Sequence, residues 1–263
     1  MQRETLEKLF SVAGKTVLIT GSSGGIGLML AEGFLAAGAR VYINGRNEEA
    51  LEAIRARLDG RGEIFAVVSD LSKPEGVEAL VKAVCEREPR LHVLINNAGI
   101  TWGAPLETFP AKAWTSVMNV NVQSPFALIQ GLLPALRAAG SADDPARVIN
   151  IGSVYATKTD VMTAYSYAAS KAAIQQLTRV LARELASQHI LVNAIAPGFF
   201  PSKMTAFAWK DEKLRTSLLA GIPLGRAGTP EDVAGLAIML SSRAGAYITG
   251  SIIPLDGGLL VER

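Results

Sequence analysis

The sequence predicts an α/β domain: one parallel sheet, doubly wound, with helices on both faces and a short helical lid near one end. Two observations carry this. Short, nearly unbroken runs of β-branched and aliphatic residues alternate with longer stretches of helical spacing from one end of the chain to the other. Unbroken apolar runs suit strands covered on both faces, and strict strand–helix alternation implies parallel order. The second observation is bulk: 263 residues, 49% hydrophobic and only 19% charged, suit one sizeable core and argue against disorder. There is no Pro/Ser-rich linker and no internal repeat, so residues 1–263 read as a single domain.

Taken in order, the N-terminal MQRETLEKLFSVAGK is charged and amphipathic, without an apolar run of signal-peptide length. Strands are predicted at KTVLIT (15–20), RVYIN (40–44), EIFAVVS (63–69), LHVLIN (91–96), ARVINIG (146–152), ILVNAIA (190–196) and SIIPL (251–255). Between them, IGLMLAEGFLAAG, EEALEAIRARL, PEGVEALVKAVCERE and SKAAIQQLTRVLAREL have helical length and spacing. The least regular stretch, 198–229, sets aromatic residues among glycines and prolines just after a strand end. Doubly wound sheets bind ligands beyond their carboxyl strand ends, so this stretch is expected to cover a substrate.

A net charge of +2 with interleaved signs and no basic tract argues against a dedicated nucleic-acid binder. No segment reaches the roughly 20 apolar residues of a membrane span. The single cysteine, Cys85, cannot form an internal disulfide and reads as a helix residue in a reducing compartment. A cytoplasmic protein without a metal site is expected.

The first strand runs into TGSSGGIG (20–27) and then a helix. Glycines at 21, 25 and 27 allow a tight turn and close approach of backbone to a ligand, and the helix start offers free N–H groups to a diphosphate. The GKT at 14–16 is no P-loop, because the glycine needed five residues earlier is Leu9 and a strand follows. At the end of the second strand, where an acid would bond the free ribose hydroxyl of NAD, the chain has Gly45 and Arg46. A guanidinium pairs with a 2′-phosphate, so Arg46 favours NADP(H).

In YSYAASKAA (165–173), Tyr167 and Lys171 stand four apart, on one face of a helix. Alone, this reads as a packed tyrosine beside an exposed lysine. The rest of the chain decides it. TGSSGGIG, NNAG at 96–99, Asn121, Ser153, the Tyr167/Lys171 pair and PG at 197–198 occur in one order over nearly the whole length. With them the sequence resembles the short-chain dehydrogenase/reductase family, whose domain is Rossmann-like.

The resemblance implies a carbonyl reductase. Tyr167 would donate the proton, Lys171 would stabilise the phenolate and reach the nicotinamide ribose, Ser153 would hold the carbonyl oxygen, and Asn121 would keep a water in a relay to Lys171. An ammonium beside a phenol should draw its pKa down from about 10. For the cofactor, the resemblance implies Gly21, Ser23, Gly25, Ile26 and Gly27 at the diphosphate, and Asp70 and Leu71 flanking the adenine. It puts Asn97, Ala98 and Gly99 along the ribose and Pro197, Phe200 and Ser202 at the nicotinamide end. Asn96 is expected to bond neighbouring strand backbone; Asn119 is a decoy for Asn121, and His92 and His189 are assigned no catalytic role. Two departures stand out: Gly24 replaces the basic residue of many NADP-using relatives, and the Ser153–Tyr167 interval is one residue longer than usual, which would reshape the substrate pocket.

Closer similarity is to bacterial 3-oxoacyl reductases of the rhamnolipid-biosynthesis type, carried by TWGAPLE (101–107), PARVINIGSV (145–154), APGFFPSKMT (196–205) and GAYITGSIIPLDGG (245–258). Trp102, Phe199, Phe200 and Met204, with Phe207 and Trp209 nearby, would give an apolar lining for a small-molecule ketone or acyl thioester. The same residues would equally serve lid closure or a subunit contact. Lys203, Lys210 and Arg215 would meet an acidic carrier or a coenzyme A phosphate, or remain solvated. Two alternatives stay open: a sugar or polyol dehydrogenase of gluconate 5-dehydrogenase type, and a non-catalytic NADP-binding regulator. Family likeness also implies a homotetramer with dimer faces on the helices around 110–138 and 164–188.

Overall fold

Each of the seven apolar runs forms a strand in the computed structural model, which describes residues 3–159, 163–202 and 204–261. The strands are β1 Thr16–Ile19, β2 Arg40–Gly45, β3 Ile64–Val68, β4 Val93–Asn96, β5 Ala146–Ile151, β6 Ile190–Pro197 and β7 Ile252–Leu255. All pair in parallel, in the order β3-β2-β1-β4-β5-β6-β7. The helices are α1 Arg3–Phe10, α2 Gly25–Ala36, α3 Glu48–Leu58, α4 Pro74–Arg87, α5 Ala111–Met118, α6 Ser124–Ala139, α7 Tyr165–Leu185, α8 Ala206–Lys210, α9 Glu212–Ala220 and α10 Pro230–Ser241.

Successive strand residues point to opposite faces, so each aliphatic run feeds two cores. Val17, Ile19, Val41, Ile43, Val93 and Ile95 join one layer with α2, α3 and α10. Leu18, Tyr42, Leu94 and Val148 join the other with α4, α6 and α7. Both faces are thereby covered, which explains why the strands are mainly apolar.

The sheet order reverses at β1, which lies between β2 and β4. A crevice opens there beyond the carboxyl strand ends, and every element that could line it starts or stops at that edge. The irregular 198–229 stretch resolves into α8 and α9 before α10 begins. The start of α10 is fixed by a capping box between Thr229 and Asp232, and Arg226 pairs with Asp232 at 2.6 Å. Lys203 and residues 160–162 of the lengthened loop lie outside the described residues, as does the Phe207 side chain.

Candidate active site

The glycine turn fits a diphosphate. Gly21 and Gly25 have φ of +64° and +54°, and an added Cβ at Gly21 would lie 2.8 Å from Ala98 Cα. Only glycine meets both demands. The α2 N-cap is Gly24, with no side-chain hydrogen bond, so the first N–H groups of α2 remain available to an anion. Thr20 ties this turn to the next one: its hydroxyl accepts from Asn97 N and Ala98 N, both at 3.0 Å. The Asn97 amide donates to Thr20 O (2.8 Å) and Gly21 O (3.1 Å). Gly27 packs against the same Asn97 amide. The neighbouring Ser23 and Ile26 are half-buried.

At the adenosine end, β2 stops at Gly45, which faces Ser23, and Arg46 is exposed beyond it. Asp70 lies within the field of Arg46: burial works to raise its pKa, but hydrogen bonds from Ser72 and the nearby Arg46 and Lys73 charges win and hold it low. Leu71 is buried in the second core layer, and its carbonyl accepts from Ser124 Oγ. Only its backbone could flank an adenine.

On the other side of β4, Gly99 lies between Asn121 and Lys171: a Cβ there would be 3.4 Å from Asn121 Oδ1 and 3.6 Å from Lys171 Nζ. Asn121 sits in a π-helical turn, residues 119–123, joining α5 to α6. Its amide accepts from Ile100 N (2.9 Å) and spends both its donors on Ile100 O and Ser170 Oγ (both 2.9 Å). A water relay through Asn121 would therefore meet an acceptor, Oδ1 or the backbone carbonyl. Asn119 contributes its carbonyl to Ser124 Oγ.

Ser153, just past β5, and Tyr167, in the first turn of α7, are joined by a side-chain hydrogen bond. Lys171 Nζ lies 5.4 Å from the Tyr167 ring centroid and donates to Ile151 O at 2.7 Å. The expected downward shift of Tyr167 is not found. Burial raises its pKa, with nearby Tyr155 adding to the rise and only the Ser153 bond opposing it. Lys171, buried with no carboxylate partner among the described residues, has its own pKa lowered to about 8. Desolvation outweighs the pairing that the i,i+4 spacing suggested, because the ammonium is committed to a neutral carbonyl over the ring face.

Other placements correct the sequence reading. Asn96 donates to the Asn150 side chain at 2.9 Å rather than to strand backbone, because the two are paired across β4 and β5. The Phe200 ring is buried in the first core layer against Gly228, so only its backbone faces the site. Its carbonyl accepts from Thr205, which also bonds Ser202. Ser202 is brought to the glycine turn, its Cβ 3.0 Å from where a Cβ on Gly25 would stand. Pro197 ends β6 at the same edge. Trp102 and Met204 are exposed, and Lys112 Nζ lies 5.9 Å from the Trp102 ring centroid. Phe199 packs on Trp209 with centroids 5.5 Å apart. Lys210 is exposed and Arg215 half-buried, and the structure gives neither a role. His92 accepts from Thr16 N at 3.0 Å, and His189 takes a left-handed conformation ending α7's 3-10 extension. Sequence reasoning missed Thr20, Ser170 and Gln175; the last two lie three residues after Tyr167 and four after Lys171, which was the available signal.

A glycine turn at the switch point of a doubly wound parallel sheet defines a Rossmann-like α/β protein. A family sequence model described as enoyl-(acyl carrier protein) reductase matches residues 21–260. The rhamnolipids biosynthesis 3-oxoacyl-(acyl-carrier-protein) reductase of Pseudomonas aeruginosa is 51% identical over 249 residues, covering 95% of this chain and 97% of that one. The gluconate 5-dehydrogenase of Gluconobacter oxydans is 35% identical over 97% of this chain and 98% of its own. Among solved structures, the Pseudomonas aeruginosa RhlG/NADP active-site complex superposes with a TM-score of 0.93 at 50% identity, covering 96% of this chain and 98% of that one. A Burkholderia cenocepacia gluconate 5-dehydrogenase in complex with NADP and tartrate gives 0.89 at 33% identity, with 98% and 100% covered. The chain belongs to the short-chain dehydrogenase/reductase family of oxidoreductases.

Proposed function

We propose that this protein is an NADPH-dependent ketoreductase acting on 3-oxoacyl thioesters or similarly apolar ketones. The observation that carries the reading is the convergence of Ser153, Tyr167 and the buried Lys171 ammonium beside Gly99. Arg46, exposed beyond β2, supplies the charge that a 2′-phosphate needs. The bound reduced nicotinamide supplies the hydride. Ser153 donates a hydrogen bond to the ketone oxygen, and Tyr167 passes its proton to that oxygen as negative charge develops. Lys171 stabilises the phenolate left behind, and Asn121 holds the 99–100 segment against Lys171. The raised pKa of Tyr167 keeps the phenol protonated, as a proton donor must be.

The substrate class is supported by the 51% identical 3-oxoacyl reductase and by the apolar character of Trp102, Phe199 and Met204, which suits an acyl chain better than a polyol. The second reading, a keto-sugar reductase, is favoured by the 35% identical gluconate 5-dehydrogenase. NADPH oxidation against 3-oxoacyl thioesters of increasing length, 5-ketogluconate and aryl ketones separates the two. Rates rising with acyl length are expected; turnover of the keto sugar alone overturns the acyl reading. We further propose a homotetramer, formed through α5–α6 and α7 as in the family, where Trp114, Phe126 and Val180 are exposed; light scattering at the mass of a monomer would contradict it.

A further inference from the structure

We propose that Gln175 is a positioning residue that fixes the height of Ser153 against Tyr167. The inference rests on the reading of Ser153 and Tyr167 as oxygen holder and proton donor.

On α7, Lys171, Gln175 and Thr178 lie at i, i+4 and i+7, one stripe facing the end of β5. All three are buried, and each grips a different residue of that end. Thr178 Oγ1 accepts from Asn150 Nδ2 (2.9 Å), Lys171 Nζ donates to Ile151 O (2.7 Å), and Gln175 Nε2 donates to Ser153 O (2.9 Å). A carbonyl can only accept, so the amide nitrogen must face Ser153. Strand β5 ends at Ile151, and Gly152 N makes its own bond to Ile195 O at 2.7 Å. Ser153 then leaves the strand in extended conformation, with its Oγ accepting from Tyr155 N. The Gln175 bond is what anchors the Ser153 backbone to the helix that carries Tyr167.

Gly152 makes this grip possible. A Cβ there would stand 2.8 Å from Gln175 Nε2, so any larger residue would push the amide off its carbonyl. The amide is also neutral. A glutamate at this position would place a carboxylate four residues from Lys171 on the same face and pair with its ammonium. Gln175 thus holds Ser153 without cancelling the charge that serves the phenol.

Two readouts test the proposal, one of them independent of any substrate. Gln175→Met keeps the length and removes the donor. With a 3-oxoacyl thioester and NADPH, kcat should fall about tenfold while KM and NADPH affinity stay within about threefold, as a loss of orientation predicts. The second readout is the titration of residue 167 in protein carrying 3-fluorotyrosine, followed by fluorine NMR and assigned with Tyr167→Phe. Among the described residues, the groups facing that phenol are Ser153, Tyr155 and Lys171. Since the Ser153 bond lowers the Tyr167 pKa, loosening Ser153 should move the midpoint measurably upward. An unchanged midpoint overturns the proposal, even if activity falls. Gly152→Ala should reproduce the upward shift and add nothing in a Gln175→Ala background; additive effects would also overturn it. Gly152→Ala carries the test alone if Gln175→Met does not fold. A shifted midpoint in an enzyme that reduces no ketone would retain Gln175 as the brace of Ser153 and sink the ketoreductase reading instead.

Discussion

Two lysines are buried at opposite ends of the sheet, and their partners differ. Lys15, at the amino edge beside β1, donates to Asp144 (2.8 Å) and to Ser241 O (3.0 Å). Arg147 shares Asp144 at 3.0 Å and donates to Leu240 O and Ser242 O, closing the carboxyl end of α10. Burial lowers the Lys15 pKa, and Asp144 pulls it back up. Lys171, at the carboxyl edge, has burial alone acting on it and falls to about 8. Glu88 at the same edge is paired as well, taking Arg40 at 3.0 Å and the Tyr42 hydroxyl at 2.8 Å. A buried charge that is paired ties elements together, whereas one left facing neutral dipoles is available for chemistry.

Removing each lysine sharpens the contrast. Lys171→Met should cost at least about 100-fold in turnover, the usual scale for disabling acid–base machinery. Lys15→Met should leave kcat unchanged and lower stability by about 1–3 kcal/mol in urea denaturation, since Asp144 keeps Arg147. Activity lost equally in both would remove the distinction.

The two edges should also differ in pH response. The folded-state pKa of Lys171, about 8, lies below its ordinary 10.5, so the unfolded chain binds the extra proton between those values. Wild-type stability relative to Lys171→Met should therefore be poorest below pH 8 and recover as pH rises toward 10.5, by about 3 kcal/mol in all. A pH-independent difference would contradict the lowered pKa. Next in size, Arg46→Glu should change the NADP-to-NAD preference by roughly 10- to 100-fold, the worth of one charge-assisted bond. An unchanged ratio of kcat/KM would move phosphate recognition elsewhere. The smallest effect is expected from Trp102→Ala, which should weaken long acyl substrates by a few-fold more than short ones, as the loss of exposed apolar contact allows. Equal losses at every length would make Trp102 structural.

The strands were legible because burial on both faces makes their code redundant: every residue of Val17–Ile19 is apolar and buried. The glycine turn was legible for the opposite reason, as positive φ at Gly21 and Gly25 restricts the residue choice. What escaped is set by partners distant in sequence. Nothing local says that Asn96 meets Asn150, that the Asn121 amide bonds Ile100 and Ser170, or that Gln175 reaches Ser153. The Tyr167–Lys171 spacing was read correctly as proximity, yet spacing carries no information on desolvation, and that decided both pKa directions. Phe200 misled because an aromatic beside a predicted lid looks like lining until its core neighbours are known.

The most direct test of the central claim is Tyr167→Phe, which deletes one hydroxyl from a half-buried ring. NADPH affinity by fluorescence should stay within about threefold of wild type, and reduction of a 3-oxoacyl thioester should fall by at least about 100-fold. Retention of more than a few per cent of the wild-type rate, with cofactor binding intact, would contradict the assignment of Tyr167 as the proton donor.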